Sequence, residues 1–112
     1  MPYVSTDLTG QVAFVTGTTS GLGRRFAKVL AACGAKVAAT GRRIERLEAL
    51  AEEIRAEGGV CEPIAIDMTS RDSVRGALRQ AREKLGVVQI LVNNAGIPDA
   101  QRAVKMSDEL TD

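Results

Sequence analysis

Residues 15–23 read VTGTTSGLG, which places three glycines within seven residues, Gly17, Gly21 and Gly23, between an apolar run and a helical one. The run before the turn, Gln11–Thr16 (QVAFVT), is continuously apolar apart from its ends, as a strand covered on both faces must be. After the turn, Leu22, Phe26, Val29, Leu30 and Cys33 recur at helical spacing, and Gly34 follows where a helix ends. A strand, a glycine turn and a helix in this order suit the holding of an anion. Gly17 permits a tight exit from the strand at positive φ. Gly21 lets backbone approach a bulky anion, and Gly23, in the first helical turn, lets helix and strand pack closely. The helix start then offers unpaired N–H groups and the positive end of its dipole to a pyrophosphate. The hydroxyls of Thr18, Thr19 and Ser20 are further candidate donors. The spacing is neither the GxGxxG of the dinucleotide fingerprint nor the GxxxxGK[ST] of a P-loop. Taken alone, it also fits a ligand-free turn.

Outward from the turn, strands and helices alternate. Lys36–Thr40 is a second strand. Ile44, Leu47, Leu50, Ala51 and Ile54 line a second helix closed by Gly58 and Gly59. Val60–Ile66 is a third strand; Val74, Ala77, Leu78, Ala81 and Leu85 line a third helix closed by Gly86; Val87–Val92 is a fourth strand. The order βαβαβαβ predicts an α/β fold with a doubly wound parallel sheet and right-handed crossovers. Residues 97–112 form a polar tail without periodicity. Within it Ser107, ahead of Asp108 and Glu109, marks the start of a helix whose body is expected beyond Asp112.

The totals narrow the choice. A chain of 112 residues is one domain. Its net charge of +1 and its three aromatic residues (one Tyr, two Phe) argue against a nucleic-acid or membrane surface. With no histidine, neither a Ser-His-Asp triad nor a His-ligated metal site can be built. Cys33 and Cys61 stand far apart and predict reduced, buried thiols in a cytoplasmic protein. The polar, short N-terminal stretch does not predict a secretory signal, and no apolar run in the sequence approaches membrane-spanning length.

The second strand sharpens the ligand. In a βαβ dinucleotide unit, the residue after that strand meets the adenosine ribose, and an acid there selects NAD. Here the step is Gly41-Arg42-Arg43. Two arginines at the positive end of a helix are poorly placed unless an anion lies near, and a 2′-phosphate would supply one. The alternative is that both are solvated surface charges partly offset by Glu45.

Three motifs together resemble those of the short-chain dehydrogenase/reductase family. Thr16–Gly23 (TGTTSGLG) looks like its TGxxxGxG, Asn93-Asn94-Ala95-Gly96 like its NNAG after the fourth strand, and Asp67 like the acid that ends its third strand. The resemblance implies a Rossmann-type sheet that binds NAD or NADP, present here as the family's N-terminal half. It places Gly17, Gly21, Gly23 and the Leu22 N–H at the pyrophosphate, Asp67 and the Met68 backbone at the adenine, and Asn93, Ala95 and Gly96 under the adenine ribose and toward the nicotinamide. Asn94 would tie neighbouring strands together. Arg42 matches a position that is basic in members preferring NADP, whereas Ser20 is neutral where many such members are basic. The resemblance therefore favours NADP over NAD. The family's Tyr-xxx-Lys pair, serine and asparagine have no counterpart after Gly96, and Tyr3 lacks a lysine four residues on. No catalytic role is carried over.

The leading expectation is the cofactor-binding part of an oxidoreductase that moves hydride between NADP(H) and an alcohol or carbonyl. Its longer parent would be homo-oligomeric and would supply the substrate site. A stand-alone, non-catalytic dinucleotide-binding or redox-sensing module is the alternative. With strand order 3-2-1-4, two helices would cover one face and one helix the other, leaving the fourth strand an apolar edge. The isolated chain is expected to be marginally stable and to associate.

Overall fold

Three crossovers thread four parallel strands in the computed structural model, which describes residues 7–18 and 21–94. The elements run β1 (Val12–Thr16), α1 (Gly21–Ala32), β2 (Lys36–Gly41), α2 (Ile44–Ala56), β3 (Val60–Ala65), α3 (Arg71–Lys84) and β4 (Val88–Asn93). The sheet order is β3-β2-β1-β4, as the alternation predicts. Gly34, Gly58 and Gly86, which follow the three helices, all take positive φ. There an L side chain would be strained, so glycine ends each helix without cost. The tail with Ser107 lies outside the described residues.

Two cores close on opposite faces of the sheet. On one, Val15, Val37, Ala39 and Cys61 meet Ala27 and Ala31 of α1 and Leu47, Leu50, Ala51 and Ile54 of α2. On the other, Val12, Phe14, Ala38, Ile64 and Val88 meet Val74, Ala77, Leu78 and Ala81 of α3. Each large side chain buried in this way contributes about 1.5–3 kcal/mol over leaving it in water. Cys61 is buried as expected, whereas Cys33 is only half-buried. Among the described residues no helix is long and apolar enough to cross a membrane.

The face that α1 turns to the sheet keeps only part of the stripe its spacing picks out: Leu30 packs against the core, but the main contact is made by smaller residues. Gly23, Ala27 and Ala31 are buried, while Leu22 is 56 %, Val29 54 % and Phe26 37 % exposed. The reason is distance. A Cβ on Gly23 would stand 2.2 Å from the Gly17 carbonyl oxygen, so helix and strand touch backbone to backbone, and only small residues fit between them. Ile44 at the start of α2 is likewise exposed.

The two edges of the sheet are built differently. At β3, the Ile66 N–H donates to Gly41 O, so by strand alternation the odd-numbered residues aim their backbone groups at the free edge. There the Arg55 guanidinium donates to Cys61 O at 2.8 Å, and Pro63 has no N–H to offer. Glu62 adds ion pairs to Arg55 and Lys84 at 3.6 and 3.8 Å. At β4, Val88 is buried but Ile90, Leu91 and Val92 are only partly covered. This is the apolar edge anticipated from VVQILV.

Candidate functional site

The C-terminal ends of all four strands bring the motif residues to one rim. Gly17 leaves β1 with φ +68°, the left-handed conformation anticipated from the turn. Its carbonyl accepts from Asn94 Nδ2 at 3.2 Å, across the gap from β4. Beside this bond, Thr16 Oγ1 donates to Asn93 Oδ1 at 3.2 Å and to Val92 O at 3.3 Å. Both asparagine side chains thus bind β4 to β1, the tying role anticipated for Asn94. Gly23 lies under this junction, where an added Cβ would also stand 2.8 Å from Asn94 Nδ2.

Gly21 differs from its neighbour. Its φ is not in the left-handed region, and an added Cβ would meet no described atom within 4 Å. Neither the conformation nor the packing of the described residues requires glycine there. The open space lies at the start of α1, whose first turn carries no acid. The helix start therefore presents the positive end of its dipole with no carboxylate of its own to offset it.

Thr18 occupies a different place from the one read for it. It is buried, and both its N–H and its hydroxyl donate to Thr40 O, at 3.2 and 2.9 Å. Its hydroxyl hydrogen points into the sheet and does not reach an anion in the mouth of the turn. Leu22, exposed on the first turn of α1, stands where the turn opens. Ser20, Ala95 and Gly96 lie outside the described residues.

At the ends of β2 and β3, Arg42 and Asp67 line one open depression of about 320 Å³ together with Ala65, Ile66 and Ser73. Arg43 is the N-cap of α2, and its side chain makes no capping bond. Asp67 is held by its own loop: Oδ1 accepts from Thr69 N–H at 3.0 Å and from Thr69 Oγ1 at 2.7 Å. These bonds keep its carboxyl below the usual carboxylate range, and the Arg42 charge adds to them in the same direction. Asp67 is thus ionised at neutral pH, an acceptor suited to an amino group. Its N–H donates to Ser73 Oγ at 2.8 Å. Ser73, in the first turn of α3, and Thr40 are site residues that the motifs did not indicate. The Asp-x-Thr spacing of 67–69 was a usable signal for the Thr69 bonds to Asp67. Met68 is half-buried and packs against the α3 core.

The rim thus presents a glycine turn after β1, a cation after β2 and an acid after β3. The model of the short chain dehydrogenase family matches residues 11–112. The chain belongs to the short chain dehydrogenase family. A short chain dehydrogenase of Pseudocercospora fijiensis is 47 % identical over 91 residues, covering 81 % of this chain and 29 % of that protein. Nodulation protein G of a Rhizobium species is 42 % identical over 102 residues, covering 91 % of this chain and 40 % of the relative. Among solved structures, a metagenomic short-chain oxidoreductase in complex with NADP matches at TM-score 0.74 and 39 % identity, over 80 % of this chain and 40 % of that one. A blue fluorescent protein from a metagenomic library, in complex with NADPH, matches at TM-score 0.75 and 41 % identity, over 81 % and 38 %. The chain therefore spans well under half the length of the relatives it matches. Short chain dehydrogenases bind a nicotinamide dinucleotide, and the rim described above is where this chain presents the family's motifs.

Proposed function

We propose that this chain is the cofactor-binding portion of an oxidoreductase that takes NADP(H) in preference to NAD(H). In the longer parent, hydride would pass between the nicotinamide and an alcohol or carbonyl carbon. The residues that handle the proton, and the substrate pocket, would come from the remainder of that parent, which we place in the cytoplasm as a homo-oligomer. None of the residues here is assigned a catalytic role.

One observation carries the reading: Arg42 and Asp67 line the same depression one strand away from the glycine turn. An adenosine whose ring amino group meets Asp67 and whose ribose lies between them would bring a 2′-phosphate to Arg42, and its pyrophosphate to the open space above Gly21. Ala95, Gly96 and Ser20 are included in the site on the strength of the motifs alone. The bound dinucleotide would supply the hydride; this chain would bind it, orient it and hold its charges.

Titration of the chain with NADP⁺ and NAD⁺ tests this. Loss of one charge-assisted contact is worth about ten-fold in affinity, so Arg42→Ala should weaken NADP⁺ by about that factor and leave NAD⁺ nearly unchanged. Equal affinity of the wild-type chain for both nucleotides would overturn the preference, and binding of neither would overturn the site.

A second reading is a stand-alone dinucleotide-binding or redox-sensing module, for which each face of the sheet supplies a buried core. It requires NADP⁺ to raise the melting temperature of a monomeric 112-residue chain, which can be followed by far-ultraviolet dichroism.

A further inference from the structure

The glycine turn is anchored on both flanks. Toward β4, Asn94 holds Gly17 O. Toward β2, Thr18 gives two donors to one acceptor, Thr40 O, and the hydroxyl bond, at 2.9 Å, is shorter than the backbone one, at 3.2 Å. Thr40 is secured in turn, since its Oγ1 donates to Val15 O at 2.8 Å, and both threonines are almost fully buried. The chain of bonds runs Thr18 to Thr40 to Val15, from the turn to β2 and back to β1. Thr40 precedes Arg42 by two residues. A buried, doubled bond of this kind fixes a distance more firmly than a single backbone contact, because little water can reach it to take either group's place.

We propose that Thr18 is a positioning residue for cofactor choice: its hydroxyl fixes the separation between the pyrophosphate cradle and Arg42, and so favours the dinucleotide that carries a charge at both points. The inference rests on the proposed placing of a 2′-phosphate at Arg42. A ligand with the phosphate must satisfy the cradle and Arg42 together and is sensitive to their spacing. A ligand without it is anchored at the cradle alone and tolerates a small displacement.

The test is a set of titrations of the 112-residue chain with NADP⁺ and NAD⁺, in wild type, Thr18→Val, Thr18→Ser, Arg42→Ala and the Thr18→Val/Arg42→Ala double variant. Thr18→Val keeps the volume and removes the hydroxyl. It should weaken NADP⁺ about five-fold more than NAD⁺, the factor that corresponds to one net hydrogen bond. Thr18→Ser, which retains the hydroxyl, should restore the wild-type ratio. In the double variant the ratio should equal that of Arg42→Ala, since there is no second charge left to align. If Thr18→Val does not fold, Thr18→Ala takes its place with the same expectation. If Arg42→Ala collapses the ratio while the Thr18 variants weaken both nucleotides equally or neither, this inference falls and the phosphate site stands. If Arg42→Ala leaves the ratio unchanged, both fall.

Discussion

Helices α1 and α3 cross the same sheet on opposite faces and are built to different ends. Helix α3 closes its own N-terminus, where Ser70 accepts from Ser73 N–H and Asp72 lies in the first turn, and it rests on Val74 and Leu78. Helix α1 starts at Gly21 with no acid in its first turn and rests on Gly23, Ala27 and Ala31. One helix is held off the sheet by large side chains and satisfies its own dipole. The other is drawn down to the Gly17 backbone just after β1, which brings its positive end beside the glycine turn. Under the proposed function, α3 serves packing and α1 serves the dinucleotide.

The comparison breaks most sharply within the turn itself. Gly23→Ala drives a Cβ to 2.2 Å from Gly17 O and should destabilise the fold by about 3 kcal/mol or more, the upper range for overpacking. Gly21→Ala meets no described atom within 4 Å. It should hold or raise stability, by up to about 1 kcal/mol, while weakening NADP⁺ binding about ten-fold or more through the lost approach of the anion. Denaturant melts and titrations on the two variants separate a glycine required by the protein from one required by its ligand. If Gly21→Ala bound as well as wild type, that glycine would need another explanation.

A smaller contrast comes from changing size beneath each helix. Leu78→Ala under α3 should cost about 2–4 kcal/mol by leaving a cavity, with little effect on nucleotide affinity once the protein is folded. Ala27→Leu under α1 should cost about 1–3 kcal/mol by overpacking and should also weaken the nucleotide, because lifting α1 moves the cradle. Equal binding losses in both would mean that α1 is no closer a part of the site than α3.

The mildest probe is titration of the thiol on the α1 and α2 face. Burial pushes the Cys61 thiol up to about 11, with the Arg55 charge opposing. A thiol ionising later in the folded than in the unfolded state leaves stability intact below about 9 and erodes it as pH climbs through 11. Melts in that window should show a decline that Cys61→Ala abolishes, and Cys61 should resist alkylation at neutral pH until the chain unfolds.

The alternation of strands and helices, the sheet order and the glycine at each helix end were all legible in the sequence, because each leaves a local mark: an unbroken apolar run, a 3.6-residue period, a glycine where φ turns positive. The rim itself was legible too, since Gly17 and Arg42 directly follow a strand, Asp67 comes two residues after one and Asn93 closes one. The seated face of α1 was not. Periodicity weighs large apolar residues, and here closeness of approach selects small ones, so Leu22, Phe26 and Val29 marked the outer side. The bond from Thr18 to Thr40 was equally hidden. A hydroxyl meeting a carbonyl 22 residues away leaves no spacing to find, and on the surface of the motif Thr18 looked like a donor to the ligand. Asp67 had a readable Asp-x-Thr turn, which explains its depressed ionisation without any ligand present.

The sheet also has a direction of growth. With Cys61 O capped by Arg55 and no N–H on Pro63, a newcomer at β3 would find the first two rungs of the ladder already missing, whereas β4 offers partly covered apolar side chains. During synthesis the first three strands can add outward from β1 to β3, and the fourth then returns to the other side of β1, so growth of the sheet reverses direction once and is left pointing outward from β4.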